Sequence, residues 1–478
     1  MDPSVNTEKT DIMKEDTKNN VHNNWRRFIV GPIIVFYTFV FQAIFTITSQ
    51  YAFYILQKQK FANKTMDTSQ NNQSVCVQNK SLEIFHEMEE IQKEVATWNV
   101  YCNLGTGIPS FVAVILINSY SDRIGRKKAF LIPICGTIIN ASFCAAVAYF
   151  EISIYYIPIT LFLEGLSGAW IGMIHTGYAY VADISEAGKS RTLAMATLDI
   201  CIGVGMVMAQ LVVGYLIHWT GFFIPMITID ACLVVSFILV LMLPETVQAA
   251  PKEKISPVEY VKNVFEFYVS PELAGKRWKY IVCTTVFSCS ILAYFGRISV
   301  ETVYQLSSPF CWNSVQIGWF AALRSLLQFM IGMGLVKLLQ RGFSDEMIGF
   351  VGALTSAGSS ALEALAYNDW MMYLVPAVGI TAVLPQPMMR GIMSKMTPME
   401  KQGAMFGGLA AMDIAFSMIA AVTANSIYSS TLSIYRGIVF FVLSSYDAIG
   451  AFLILILYIG SYRTTKGTEA EKEYLISS

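Results

Sequence analysis

The sequence predicts an all-α membrane protein, twelve transmembrane helices gathered into two six-helix bundles. Of its 478 residues, 54% are hydrophobic and only 14% charged, against roughly 25% charged in a soluble domain. About twelve apolar stretches of roughly 20 residues are long enough to cross a hydrocarbon core of about 30 Å as a helix. The formal net charge of −1 conceals a strong positional bias of the cations, and in a multispanning chain that bias sets orientation. The bilayer is therefore the expected partner, and no nucleic-acid partner is implied.

In chain order, residues 1–27 form a polar tail. Its first 24 residues lack the apolar core of a secretory signal peptide, so the first span is expected to serve as the insertion signal. The N-terminal bundle, residues 28–243, has spans at 28–56, 99–117, 129–150, 155–181, 192–217 and 222–243. A connection rich in Lys and Glu, residues 244–279, leads to the C-terminal bundle, residues 280–460. Its spans are expected at 280–306, 316–339, 347–367, 370–393, 405–428 and 436–460, and the tail is 461–478. Arg26, Arg27, Arg123, Arg126, Lys127, Lys128, Lys189, Arg191, Arg463 and Lys466 lie on one side, with the Lys of the central connection. That side is expected to be cytosolic, with both termini in it. The outer connection 57–98 also holds lysines, but long loops obey the charge rule weakly.

That outer connection carries three glycosylation sequons, at Asn63, Asn72 and Asn79, which are acceptors only outside the cytosol. Cys76 lies among them in an oxidising compartment, and Cys311 lies outside between the seventh and eighth spans. A Cys76–Cys311 bridge would staple one half of the chain to the other; the alternative is two unpaired thiols. The seven other cysteines sit in or beside apolar segments and read as small buried hydrophobes. No CxxC pair, His/Cys cluster or phosphate-binding loop is present, so no metal or other cofactor is expected. No nucleophile–base set stands out either, and the chain does not read as an enzyme.

Between the second and third spans runs Ser119-Tyr-Ser-Asp-Arg-Ile-Gly-Arg-Lys-Lys128. Asp122 can cap or pair at a helix end, Gly125 permits a tight turn, and Arg126 and Lys127 complement the C-terminal ends of neighbouring helices. With the six-plus-six layout around a central connection, this Asp-Arg-x-Gly-Arg-Lys loop resembles the signature of the major facilitator superfamily. The resemblance implies that Asp122, Arg123, Gly125, Arg126 and Lys127 form a conformational gate, a charge relay made when the outside is open and broken when the protein rocks inward. Asn118 departs from the pattern, which favours Gly there.

Further motifs resemble solute carrier family 46, the family of the proton-coupled folate transporter. They are Ser49-Gln-Tyr51, Trp98-Asn-Val-Tyr-Cys-Asn103, Tyr180-Val-Ala-Asp183, Leu306-Ser-Ser-Pro-Phe-Cys-Trp312, Arg390-Gly-Ile-Met-Ser-Lys395 and Glu400-Lys-Gln-Gly-Ala-Met-Phe406. The likeness implies proton-coupled symport of an organic anion, folate-like, muropeptide-like or another amphipathic solute, by alternating access. A pH-independent facilitator or antiporter of the same fold and a transport-inactive sensor remain the alternatives.

Ionisable side chains at bilayer depth are costly, so each needs a partner, a cavity or a function. Twelve positions qualify: Glu164, His175, Asp183, Asp199, Asp230, Arg297, Glu301, Arg324, Glu363, Arg390, Asp413 and Asp447. Asp199 lies well inside the fifth span and matches a proton-coupling Glu of the folate transporter, so the resemblance makes it the proton site. Asp183 and Arg390 match family positions that imply substrate access and capture of an anionic group, Arg390 through its planar fork; a gate salt bridge is the alternative for each. Tyr294 stands where the folate transporter has a His, which counts against folate as substrate. His175, on the face of Glu164 but about 16 Å along the axis, is a second proton-coupling candidate or a core histidine bonded to a hydroxyl. Arg297 and Glu301 are spaced i,i+4 and either neutralise each other or line the outer half of the cavity. In the C-terminal tail, Glu471, Leu475 and Ile476 fit an acidic dileucine sorting signal, so the expected location is the plasma membrane or an endosomal or lysosomal membrane.

Overall fold

The computed structural model describes residues 28–61, 83–185, 189–246, 277–397 and 402–477, and within them every regular element is helical. The first half contains α1 (Val30–Phe61), α2 (Glu83–Ile124), α3 (Arg126–Phe150), α4 (Ile157–Leu166), α5 (Ala169–Ile184), α6 (Lys189–Thr220) and α7 (Phe223–Met242). The second half contains α8 (Arg277–Leu306), α9 (Ser314–Ser325), a π-helical turn (Leu326–Gly332), α10 (Met333–Leu339), α11 (Asp345–Leu365), α12 (Asp369–Val378), α13 (Pro385–Met396), α14 (Gln402–Thr431) and α15 (Ile438–Ser477). The fourth span is thus α4 and α5, broken at Ser167–Gly168. The eighth is α9, the π turn and α10, and the tenth is α12 and α13.

Among the described residues, ten helical segments are long and apolar enough to cross a membrane. The expected second span is helical within α2, part of it carrying side chains outside the described residues, and the expected tenth is helical but interrupted. α2 carries Asn99, Asn103, Thr106 and Ser110 through its middle. The tenth is unwound over residues 379–384, between Pro376 and Pro385. The opened backbone is met from a neighbouring helix, Gln328 Nε2 donating to Gly379 O at 3.2 Å, while the Thr355 and Thr381 hydroxyls share a side-chain hydrogen bond of 2.7 Å. Such repair is what a broken helix needs at membrane depth.

Part of the outer connection is also helical. α1 runs to Phe61 and α2 starts at Glu83, because Met88, Ile91, Val95 and Trp98 bury one face at helical spacing. Asn63, Asn72, Asn79 and Cys76 lie outside the described residues, and so does the Cys76 side of a pairing with Cys311.

α1 packs on α6 and α7, and α8 packs on α14 and α15. The two largest contacts between the halves are α6 with α9 and α2 with α14. At the first, Gly214 and Gly318 oppose each other's backbones: a Cβ on Gly214 would lie 2.7 Å from Ser314 O, and one on Gly318 would lie 2.5 Å from Gln210 O. Only small residues permit that approach.

Among the described residues, three hydrogen bonds join the halves. Ser314 Oγ donates to Gln50 Oε1 at 2.6 Å, Trp319 Nε1 to Tyr215 Oη at 3.0 Å, and Tyr428 Oη to Gln92 Oε1 at 3.3 Å. All three lie at the end of the bundle that the cation distribution assigns to the outside.

Candidate functional site

A cavity of about 370 Å³ lies between the halves. The polar middle of α2 and the broken tenth span both face it, through Asn99, Asn103, Gln386 and Arg390. Aromatic rings form much of the wall: Tyr37, Phe41, Trp170 and Tyr178 from one half, Tyr294 and Phe329 from the other. Phe41 stacks on Trp170 with ring centroids 4.5 Å apart, and the π turn brings Gln328 and Phe329 to the opposite wall. A π turn shifts the helix register by a residue, a device frequent at functional sites.

Five ionisable side chains line the cavity: Glu164, Asp199, Arg297, Arg390 and Asp413. Arg390, on α13, reaches Asp413 on α14 with Nη2 at 3.5 Å from Oδ2, and its guanidinium lies 4.9 Å from the Phe287 ring centre. Asp199, on α6, accepts a short hydrogen bond from the Tyr178 hydroxyl of α5. Neither Tyr178 nor Asp413 was singled out as a partner in the sequence, because each meets its partner across a helix interface rather than along a helix.

Glu164 is a further cavity carboxyl to which the sequence gave no role. It is 7% exposed and accepts hydrogen bonds from Thr137 Oγ1 at 2.9 Å and Asn140 Nδ2 at 2.8 Å. Tyr37 and Thr137 share a bond of 2.8 Å, and Thr160 donates to Asn140 Oδ1 at 2.9 Å. Among the described residues no cation pairs with it. A carboxyl at this depth held only by neutral donors is a place where a proton can be exchanged without breaking an ion pair.

Of the residues singled out in the sequence, Asp199, Tyr294, Arg297 and Arg390 line the cavity, whereas His175, Asp183 and Glu301 do not. Asp183 lies away from the cavity and makes a salt bridge, its alternative reading. It takes Arg126 Nε at 2.8 Å and the Thr246 hydroxyl at 3.2 Å, because it sits at the last turn of α5, level with the loop between α2 and α3. The Arg297–Glu301 couple is not made. Glu301 pairs instead with Arg324 Nη1 at 2.5 Å, and Arg324 Nη2 reaches Glu363 at 3.1 Å, since Arg324 enters from the neighbouring span between the two carboxylates. His175 is half-buried on α5 and makes no hydrogen bond to a hydroxyl among the described residues.

Gly125 separates α2 from α3 with φ of 93°, and a Cβ there would collide with the Glu245 carboxylate. Glu245 accepts from Arg126 N at 2.7 Å and Lys127 N at 3.1 Å, the free amides and positive dipole end of α3. Lys127 Nζ donates to Leu241 O at 2.5 Å. The relay therefore ties α3, α5 and the end of α7 within one half. Glu245 was readable as the acid directly after the sixth span, opposite a basic loop. The side chains of Asp122, Arg123, Glu471, Leu475 and Ile476 lie outside the described residues.

The sequence pattern of the Major Facilitator Superfamily matches residues 39–308, more than half of the chain. The chain belongs to the major facilitator superfamily. Its relatives are solute carrier family 46 proteins. The lysosomal proton-coupled steroid conjugate and bile acid symporter of Bos taurus is 29% identical over 421 residues, 86% of this chain and 90% of the relative. The Homo sapiens protein of the same description is 27% identical, covering 94% and 96%. The proton-coupled folate transporter of Rattus norvegicus is 25% identical, covering 77% and 80%. In structure, the fold is shared with a crystal structure of the peptide transporter POT in complex with sulfate, with a TM-score of 0.62 and 12% identity over 92% of this chain and 98% of that one. A POT family transporter in complex with a thioalcohol-conjugated peptide gives 0.63 at 12% identity, covering 91% and 96%. This major facilitator is a multi-pass membrane transporter, not an enzyme.

Proposed function

We propose that the chain is a proton-coupled symporter that carries an amphipathic organic anion by alternating access. The observation that carries this reading is the cavity of about 370 Å³ between the halves, walled by aromatic rings and holding uncompensated or neutrally bonded ionisable groups on both sides. A large apolar body with a small charged group fits such a lining. The Homo sapiens and Bos taurus relatives, described as transporting steroid conjugates and bile acids, support that substrate class over a folate. Asp199 is the proposed proton carrier, because its bond to Tyr178 needs no cation and it faces the solute. Arg390 shares its charge with Asp413 and is proposed to exchange that partner for solute during the cycle. On the orientation expected from the cations, the hydrogen bonds between the halves among the described residues tie them at the outside end. The name of the relatives and the Glu471–Leu475–Ile476 pattern support a lysosomal or endosomal membrane.

The test is uptake of a radiolabelled steroid sulfate into proteoliposomes with an acid gradient imposed across them. Acid-stimulated uptake in the wild type, lost in Asp199→Asn, is the expected result. Flux indifferent to pH would replace symport by facilitation, and binding without flux would make the protein a sensor.

A further inference from the structure

The main cavity opens onto a side pocket of about 60 Å³. The two share Tyr294, Arg297, Gln328 and Phe329, and the side pocket adds the polar groups of Thr46, Gln210 and Gln305 and the paired Glu301 and Arg324. Its volume takes a few water molecules or one carboxylate or sulfate group, and is far too small for the body of a solute.

Arg297 is the guanidinium here that, among the described residues, makes no ion pair; Arg324 beside it leaves only its Nε unbonded. Arg297 is 3% exposed, and its Nε has no hydrogen-bond partner. Its neighbour Arg324 is committed to Glu301 and Glu363 at 2.5 and 3.1 Å. When all are ionised, Arg297 and Arg324 stand against Glu301, Glu363 and the buried Asp447, which Ser356 holds at 2.6 Å, so the cluster carries one excess negative charge. Arg297 is thus neutralised at a distance rather than by contact, and its fork of N–H groups remains free to donate. Burying a guanidinium without bonding its donors is expensive, and a structural counter-ion would place a carboxylate against it. Arg390 differs, since Asp413 already holds it.

We propose that the side pocket at Arg297 is a subsite for a compact oxyanion, a carboxylate or sulfate ester, borne by the transported molecule. Its apolar body would then lie in the main cavity against Phe41, Trp170 and Phe329. The assignment to a transported molecule rests on the proposed symport; the anion subsite itself does not. The same pocket would take a free inorganic oxyanion, and two probes separate these cases.

The first probe is inorganic sulfate. Thermal unfolding of the purified full-length protein in detergent is followed in sodium sulfate and in sodium chloride of equal ionic strength. Sulfate is expected to raise the midpoint of the wild type and to leave that of Arg297→Met unchanged, with Arg297→Lys between them. An equal sulfate shift in the wild type and Arg297→Met, or none in the wild type, would overturn the subsite. The second probe is a steroid sulfate against the same steroid unconjugated, in equilibrium binding. The wild type is expected to prefer the sulfate by about tenfold to a hundredfold, the worth of one or two charge-assisted hydrogen bonds. Arg297→Met is expected to bind both alike while keeping its affinity for the neutral steroid, which also shows it to be folded. Sulfate stabilisation through Arg297 without binding of either steroid would leave the subsite standing and remove the proposed substrate class. A sulfate preference kept in Arg297→Met and lost in Arg390→Met would overturn the subsite.

Discussion

Glu164 and Glu363 are both buried carboxyls, yet their surroundings make opposite demands on them. Glu363 is 0% exposed and tied to the Arg324 guanidinium. Removing one member of such a pair leaves a buried charge, at about 3–5 kcal/mol, so Glu363→Ala is expected to lower the thermal midpoint in detergent sharply. A loss within about 1 kcal/mol would show that Glu301 alone satisfies Arg324. Glu164 is bound by Thr137 and Asn140 only, and Glu164→Gln keeps most of that shape. The variant is expected to fold with a penalty of about 1 kcal/mol, the worth of one neutral hydrogen bond. Its uptake profile between pH 5.5 and 7.4 is expected to flatten, because an amide neither takes up nor gives a proton in that range. A shifted midpoint with the wild-type pH profile would make Glu164 a structural group.

Elements record where the chain trades regularity for function. The spans were legible because the thickness of the bilayer imposes a long apolar run on each helix. The second and tenth both place polar groups on the cavity. The prolines at 376, 385 and 387 were visible signals for a break in the tenth. The π turn in the eighth had no such signal; within it Gly332 lies close against the Ile380 carbonyl of the tenth span, a contact between spans that spacing along one helix does not contain. Asp183 illustrates a second limit: its depth relative to the α2–α3 loop depends on how helices slide past one another, which spacing along one helix does not contain. Arg324 shows a third, since its two carboxylates come from α8 and α11 and no intrahelical period joins them. At the α6–α9 interface, Gly318→Leu is expected to force these helices apart at Gln210. Its uptake should fall at least tenfold while a fluorescent fusion still reaches the membrane; wild-type uptake would show that the close approach is not needed in the cycle.

Across the molecule, the hydrogen bonds between the halves found among the described residues lie at one end. Gln50–Ser314, Tyr215–Trp319 and Gln92–Tyr428 each couple a helix of the first half to one of the second. Rocking two bundles about a central site requires such contacts to break as others form at the opposite end. Individually these bonds contribute about 1 kcal/mol, weak enough for a solute's binding energy to open them and specific enough to define a closed state. A covalent tie removes that freedom. Gln50→Cys combined with Ser314→Cys, bridged by a short thiol-specific cross-linker, should stop uptake while either single variant treated alike transports normally. Binding of solute from the expected cytosolic side should persist in the bridged protein, since the cavity remains formed. Uptake through a fully bridged population would show that this end need not open, and transport would then have to proceed without rocking of the two halves.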